Sequence, residues 1–146
     1  MRISVACDHG ALELKNAVVA HLQKQGHEVH DFGTHTLDSC DYPEFASAAA
    51  KAVAGGACDR GIVMCTTGIG MSIAANKVDG IRCALLSDLM SARLTREHND
   101  TNMMALGAGV VGELLALEIV DTWLGTEFSG GERHVRRIEK LMALEK

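Results

Sequence analysis

A cysteine stands where an apolar run meets a glycine-containing loop, in the stretch VMCTTGIGMS at residues 63–72. Cys65 ends the run, and two threonines, Gly68 and Gly70 follow it before helical spacing begins. Backbone N–H groups at such a strand-to-helix turn can cradle an anion, and their field favours a nearby thiolate. Cys65 is therefore a candidate base or nucleophile. Free cysteine is also among the most commonly buried residue types, so the loop alone leaves a purely structural role open.

Two other segments carry side chains suited to acid chemistry or to phosphate binding. His98 and Asn99 stand at the end of a helical run, and an imidazole can act as an acid or a base near neutral pH. Arg133 and Arg137 are four residues apart, share a helix face and can grip a phosphate together. Each pattern also has a simpler interpretation: a histidine that stabilises a helix C-terminus, and a solvated basic face.

Known glycine-loop motifs fit the stretch around the cysteine less well. A dinucleotide-binding fingerprint needs a small third residue where Ile73 stands, although Asp88 lies at about the distance of its acidic residue. A cysteine phosphatase loop needs an arginine where Met71 stands, and a Walker A lysine is missing. A nucleotide- or metabolite-binding module remains an alternative function, and it would depend on Gly68, Gly70 and Asp88.

The elements that must position these residues follow from the hydrophobic pattern. Apolar runs of strand length alternate with helical patterns, which predicts βαβ units and a parallel sheet covered on both faces. In such sheets, ligands bind beyond the carboxyl ends of the strands, where Asp8, His9 and Cys65 stand. The predicted strands are ISVAC (3–7), EVHDF (28–32), GIVMC (61–65), IRCALL (81–86) and NMMAL (102–106).

Length and composition exclude several classes of protein. A chain of 146 residues suits one domain over residues 1–146. The net charge of −5, with three Phe, one Tyr and one Trp, gives neither a field nor a stacking surface for nucleic acid. The five cysteines form no C-x-x-C pair, which favours reduced thiols and a cytoplasmic location over a disulfide or zinc framework. The sequence predicts no signal peptide and no membrane span.

Five motifs, taken together, resemble the ribose-5-phosphate isomerase type B family, which also includes galactose-6-phosphate isomerase subunits. The resemblance covers essentially the whole chain. It implies a Rossmann-like three-layer α/β/α sandwich that works without metal or nucleotide. It also implies a homodimer or dimer of dimers with sites between subunits, the C-terminal helix packing on the partner. The motifs are CDHG (7–10), DYP (41–43), the Cys-x-Thr-Gly-x-Gly loop running into SIAANK (72–77), REHNDTN (96–102) and the Arg133/Arg137 pair.

The resemblance implies a role for each matching residue. Cys65 would move a proton between C1 and C2 of the sugar with the help of Thr67, and His98 would open the furanose ring. Asp8 would hold sugar hydroxyls, and Asn99 would contact the substrate. The remaining residues would bind the enediolate through the N–H groups of Thr66, Gly68, Ile69 and Gly70, and the phosphate through His9, Arg133 and Arg137. His98 and both arginines would reach across from the partner chain.

Two positions depart from the family pattern. The loop reads CTTG where CGTG is usual, so Thr66 adds a Cβ where the backbone approaches the sugar, which requires a negative φ. GAGVVG stands where G-S-R-V-V-G is usual, so Gly109 replaces an arginine. The resemblance implies that this arginine contacts the phosphate. Its loss should cost about 1.5 to 3 kcal/mol of substrate binding unless Arg136 compensates.

These departures leave the substrate open. Ribose 5-phosphate and ribulose 5-phosphate are the expected pair, interconverted through an enediolate. A hexose 6-phosphate, such as allose or galactose 6-phosphate, is the first alternative, and a sugar without phosphate is a more distant one. A family member that needs a related chain for activity is a further hypothesis.

Overall fold

The computed structural model describes residues 1–145. Its centre is one sheet of five parallel strands in the order β2-β1-β3-β5-β4. All five predicted strands are confirmed, each with its bounds shifted by no more than a few residues. The strands are β1 (Arg2–Cys7), β2 (Glu28–Asp31), β3 (Arg60–Cys65), β4 (Cys83–Leu85) and β5 (Met103–Gly107).

Helices cover both faces of the sheet, so the predicted three-layer α/β/α sandwich is confirmed. Helices α1, α4 and α5 pack on one face around the buried Trp123, and α2 and α3 pack on the other around Met71. The helices are α1 (Leu12–Lys24), α2 (Tyr42–Ala54), α3 (Ile69–Ala75), α4 (Leu89–Asn99), α5 (Glu113–Gly125) and α6 (Glu132–Met142).

The sequence explains why the two faces differ. Helix α1 buries Leu14, Val18 and Leu22, one per turn, as the spacing predicts for a helix with one apolar stripe. Helix α2 instead buries alanines, which lets its backbone lie close to the sheet. Side chains along β3 alternate between the faces, and Cys65 belongs to the cluster on the α2 and α3 side.

The strand register brings the carboxyl ends of the three central strands to one edge. Cys7 lies opposite Met64, and Cys65 lies opposite Gly107. The hydrogen-bond ladder of a parallel sheet leaves no freedom in this alignment. The segments that follow β1, β3 and β5 therefore begin side by side.

A buried lysine fastens the segment after β2 to the same edge. Lys15 is fully buried, and its Nζ donates to Asp31 Oδ1 at 2.9 Å and to the Thr34 carbonyl oxygen at 2.7 Å. The backbone N–H of Cys7 donates to the Gly33 oxygen, and that of Thr34 donates to the Cys7 oxygen. These bonds extend the pairing of β1 and β2 beyond the strands themselves.

Helix α6 lies against its own chain. The backbone N–H of Gly80 donates to Glu145 Oε1 at 2.8 Å, and Arg82 Nη1 lies 3.4 Å from Met142 Sδ. Val135 and Leu141 remain 38% and 49% exposed. The packing of α6 on a partner subunit stays a prediction, and these apolar side chains are what such a partner would cover.

Replacing Lys15 with methionine should lower the free energy of unfolding by roughly 3 kcal/mol, since Asp31 and the Thr34 carbonyl lose their buried partner. The 26% exposure of the Asp31 side chain favours the lower end of the range for such pairs. Chemical denaturation followed by Trp123 fluorescence measures the change. The control Lys24→Met alters an exposed lysine of the same helix and should change the value by less than about 0.5 kcal/mol. Equal losses in both variants would contradict the prediction.

Candidate active site

Cys65 sits at the last position of β3, and the loop that follows binds its sulfur. The backbone N–H of Gly68 donates to Cys65 Sγ at 3.1 Å. Gly68 has a φ of +77°, and a Cβ there would lie 2.6 Å from Leu85 Cδ1 and 2.8 Å from the Leu106 carbonyl carbon. Both the left-handed backbone and the close packing require glycine. The residue thus keeps the loop tight enough for its N–H to reach the thiol.

The rest of the loop presents a hydroxyl and backbone N–H groups beside the thiol. Thr67 Oγ1 accepts from the Ile69 N–H at 3.2 Å, so an anion must displace this hydroxyl to reach that donor. A Cβ on Gly70 would lie 2.8 Å from the ring of Tyr42. The DYP motif and the glycine loop, which are far apart in sequence, are therefore in direct contact.

The end of β1 brings a carboxylate and an imidazole next to this loop. The Asp8 N–H donates to the Met64 oxygen at 3.2 Å, which places Asp8 beside the end of β3. Asp8 Oδ1 accepts from the Gly10 N–H at 2.8 Å. His9 Nδ1 accepts from the Cys40 N–H at 3.3 Å. A nitrogen that accepts carries no proton, so the proton of the neutral His9 ring is on Nε2, which can donate to a ligand.

Other cysteines lack these features. Cys7 is fully buried in the α1 and α5 cluster, and burial raises the pKa of its thiol to about 11. It therefore stays protonated at physiological pH and makes only a long contact, 3.9 Å, with the Thr34 carbonyl oxygen. Of the two cysteines that end central strands, Cys65 is the one bound by the loop's N–H.

Thr66 contacts the position where the family arginine is missing. Among residues 1–145, Asp100 is the only non-glycine residue with a positive φ, so the expected negative φ of Thr66 is confirmed. The Gly109 N–H donates to the Thr66 oxygen at 2.8 Å. The two departures from the family pattern are therefore neighbours in space.

The acid and phosphate candidates form a second cluster on α4 and α6. The rings of His98 and His134 stack with centroids 4.4 Å apart and an interplanar angle of 9°. Arg133 Nε donates to His134 Nε2 at 3.4 Å. A cavity of about 350 Å³ is lined in part by His98, Asn99, His134 and Arg137.

His134 was missed by the sequence reasoning. Its spacing of three residues from Arg137, on the same helix face, was the available signal. Burial lowers the pKa of His134, and the nearby His98, Arg133 and Arg137 lower it further. The lowered pKa favours the neutral form of His134, which suits its stacking on the His98 ring.

The candidate site residues of one chain fall into two clusters, one around Cys65 and one on α4 and α6. The cavity beside His98 includes no residue of the loop from Cys65 to Gly70. A cavity of about 790 Å³ beside β4 and α6 includes Asn99 but no other predicted site residue. One chain thus carries a thiol half and a histidine and arginine half, and neither of these two cavities includes residues of both.

Asp88, the acidic residue on which the nucleotide-binding alternative depends, has a structural role instead. Asp88 Oδ1 caps α4 by accepting from the Ser91 N–H at 2.7 Å, and this bond lowers the pKa of Asp88. Among residues 1–145, no three His, Cys, Asp or Glu side chains come together as a metal site. Over the same residues, no helix is long and apolar enough to cross a membrane.

Fold and geometry together define an α/β protein with a thiol, a hydroxyl and an imidazole at the carboxyl edge of a parallel sheet, where enzymes of this class place their active sites. A family model described as Ribose/Galactose Isomerase matches residues 3–141. The chain belongs to this family, which confirms the resemblance found in the sequence. It is a sugar-phosphate isomerase, and hence an intramolecular oxidoreductase.

Three similar proteins illustrate the relationship. Ribose-5-phosphate isomerase B of Escherichia coli is 51% identical over 99% of this chain and 96% of its own. The structure of Clostridium thermocellum ribose-5-phosphate isomerase B superposes with a TM-score of 0.97, at 54% identity, over 99% of this chain and 97% of that one. D-erythrulose-4-phosphate isomerase of Pectobacterium atrosepticum is 43% identical over 90% of this chain and 87% of its own.

Replacing Arg137 with methionine should raise the pKa of His134, because one of the positive charges that lower it is removed. NMR titration of the imidazole resonances measures the shift. The matched control Arg136→Met removes an adjacent arginine that does not contribute to the lowered pKa, and it should leave the titration unchanged. A larger shift in the control than in Arg137→Met would contradict the prediction.

The same lowered pKa predicts how stability depends on pH. The unfolded state binds a proton on His134 near pH 6.5, whereas the folded state binds it only at a lower pH. The free energy of unfolding should therefore fall as the pH drops below about 6.5, down to the folded pKa. His134→Gln should flatten this part of the stability profile; an unchanged profile would show that His134 is not responsible.

Proposed function

We propose that the protein interconverts a phosphorylated aldose and ketose through an enediolate, with ribose 5-phosphate and ribulose 5-phosphate as the first pair. The observation that carries this proposal is the position of Cys65, bound by the Gly68 N–H and adjacent to Thr67 and Asp8. Relatives named ribose-5-phosphate isomerase B support the choice of substrate.

In the proposed reaction, the thiolate of Cys65 removes the proton from C2 of the aldose. The electron pair of that bond forms the C1–C2 double bond, and O1 becomes an oxyanion. A proton passes from O2 to O1 with the help of the Thr67 hydroxyl, and the Cys65 thiol returns its proton to C1. Every proton that Cys65 and Thr67 take from the substrate is returned to it, so the reaction consumes no other reactant.

The enediolate needs donors aimed at its oxygens. The N–H groups from Thr66 to Gly70 are the proposed donors, and they include Gly68 and Ile69. In the structure, Thr67 Oγ1 accepts from the Ile69 N–H. We infer that a substrate oxygen takes over this bond and frees the hydroxyl for proton transfer.

The second cluster supplies ring opening and phosphate binding. His98 is the proposed ring-opening acid, with Asn99 in contact with the substrate. His9, Arg133 and Arg137 are proposed to hold the phosphate, while Asp8 accepts from sugar hydroxyls. Because neither cavity beside His98 includes the loop from Cys65 to Gly70, we propose that the site forms between the two subunits of a homodimer, alone or within a dimer of dimers.

The identity of the preferred sugar is the most specific part of the proposal. Hexose 6-phosphates such as allose or galactose 6-phosphate are the alternative, because glycine stands at residue 109, where the resemblance implies an arginine. A relative named for D-erythrulose 4-phosphate shows that related proteins differ in sugar length. Dependence on a related partner chain is the other alternative.

Five free thiols support a reducing compartment, and we propose the cytoplasm.

Replacing Cys65 with alanine should lower kcat for ribose 5-phosphate by about 10²- to 10⁴-fold, because the base is lost. Exchange of solvent deuterium into the sugar, followed by NMR, should disappear with it. The control Cys58→Ala removes a buried cysteine just before β3, at the opposite edge of the sheet, and should retain both activities. Exchange that persists in Cys65→Ala would remove Cys65 from the role of base.

Mixing two inactive variants tests whether the site lies between subunits. Cys65→Ala and His98→Asn damage different halves, so random mixing should restore about one quarter of the wild-type activity. Half of the dimers are then mixed, and each has one intact site. His98→Asn mixed with Arg137→Met, which damage the same half, should restore none. If neither mixture recovers activity although subunits exchange, both halves belong to one chain.

A further inference from the structure

The imidazole of His98 is oriented by a contact on its face. It stacks on the ring of His134 with centroids 4.4 Å apart and an interplanar angle of 9°. Among residues 1–145, neither ring nitrogen of His98 has a hydrogen-bond partner. His9, by contrast, is oriented through Nδ1, which accepts from the Cys40 N–H. Stacking therefore sets the plane of the His98 ring and leaves both of its nitrogens available to a substrate.

The ring of His134 is itself fixed on several sides. The residue is only 8% exposed. Its Nε2 accepts from Arg133 Nε at 3.4 Å. A Cβ built on Gly131 would lie 3.2 Å from His134 Cδ2, so the chain also packs closely against that edge of the ring. A side chain that is buried and contacted in this way can serve as a rigid surface for a functional neighbour.

Helix α6, which carries this ring, is attached to the end of α4. The backbone N–H of Ser129, just before α6, donates to the Glu97 oxygen at 3.3 Å. Arg82 contacts both helices, because its Nε donates to the Asn99 oxygen at 3.0 Å and its Nη1 lies 3.4 Å from Met142 Sδ. The stacking of the two rings is therefore supported by contacts of the surrounding chain.

The stack leaves His98 accessible. A cavity of about 350 Å³ is lined by both rings and by Arg137. A second cavity, of about 270 Å³ between β4 and α4, is lined by His98 but not by His134. A ligand can therefore approach the edge of the His98 ring without displacing the ring on which it stacks.

We propose that His134 is a positioning residue, whose ring holds the imidazole of His98 in the orientation needed to open the furanose ring of the substrate. The inference rests on the proposed isomerase function. In ring opening, His98 gives a proton to the ring oxygen O4 and the C1–O4 bond breaks. The hydroxyl on C1 loses its proton to water as the carbonyl forms, and water returns a proton to His98. The acid acts only when its N–H points at O4, which is what the stack secures.

The two sugars of the proposed pair separate ring opening from proton transfer between carbons. Ribulose 5-phosphate is an open chain, because closure onto C2 would need the C5 oxygen, which carries the phosphate. Exchange of solvent deuterium into its C1 position therefore needs the base but no ring opening. Ribose 5-phosphate closes through O4, so its isomerisation needs both steps. A loss of His98 orientation should slow the second reaction and not the first.

Two substitutions at residue 134 test the role of the flat ring. His134→Leu keeps a buried apolar side chain without a planar face, whereas His134→Phe keeps the planar face. In His134→Leu, kcat for ribose 5-phosphate should fall by about 10- to 100-fold. Deuterium exchange into ribulose 5-phosphate should stay within about threefold of the wild-type rate. His134→Phe should retain both rates, and a change in its KM alone reports the lost bond from Arg133.

A double variant tests whether the effect passes through His98. In the His98→Asn background there is no imidazole left to orient, so His134→Leu should lower kcat by less than about threefold. His134→Met, another side chain without a planar group, carries the same expectations as His134→Leu. It keeps the test decisive if the leucine variant does not fold.

The outcomes separate this inference from the proposed function. Equal losses of kcat in His134→Leu and His134→Phe overturn the inference, and so does a leucine variant as fast as the wild type. Loss of ribulose 5-phosphate exchange in step with kcat, or a full further loss in the His98→Asn background, shows a general structural role instead. A wild type that neither isomerises nor exchanges this pair overturns the proposed function, and the inference falls with it.

Discussion

The hydrogen-bond ladder between β1, β3 and β5 is the constraint on which the site depends. It fixes Cys7 opposite Met64 and Cys65 opposite Gly107, so the three strands end at one edge. A slip of one residue would turn the Cys65 side chain to the other face of the sheet. This register therefore brings the backbone of Asp8, which follows β1, beside the end of β3, where Cys65 stands.

Close approach of backbone segments is the second requirement at this edge. A Cβ on Gly107 would lie 2.6 Å from the Thr67 oxygen, and one on Gly68 would meet Leu85 and the end of β5. Glycines thus allow three loops to pack against one another with their N–H groups near the thiol. Lys15 supports the same edge because its Nζ donates hydrogen bonds to Asp31 and to the Thr34 oxygen, at and after the end of β2. Stability and function therefore share these contacts, which explains the tight packing around a partly polar site.

The candidate site residues fall into two clusters with different chemical groups. In the proposed mechanism, the thiol half supplies a base and donors for an oxyanion, and the half on α4 and α6 supplies imidazoles and guanidinium groups. Neither half contains every group that an aldose–ketose isomerase needs. Apolar side chains on α6 remain exposed, Val135 and Leu141 among them, which is the surface expected of a chain that completes its site with a second copy.

The sequence by itself determined the architecture and the family. Apolar runs predict five strands because a parallel strand buries both faces, and the glycines beside Cys65 mark the loop because few other residues adopt its backbone. The family motifs lie in short contiguous segments, so the family could be identified without coordinates.

Only the tertiary structure decided which distant residues touch. The stacking of His98 on His134, the burial of Lys15 and the contact of Thr66 with Gly109 join residues 19 to 43 positions apart. Local patterns carry propensity and periodicity, whereas these contacts arise from the packing of separate elements, which no local pattern encodes.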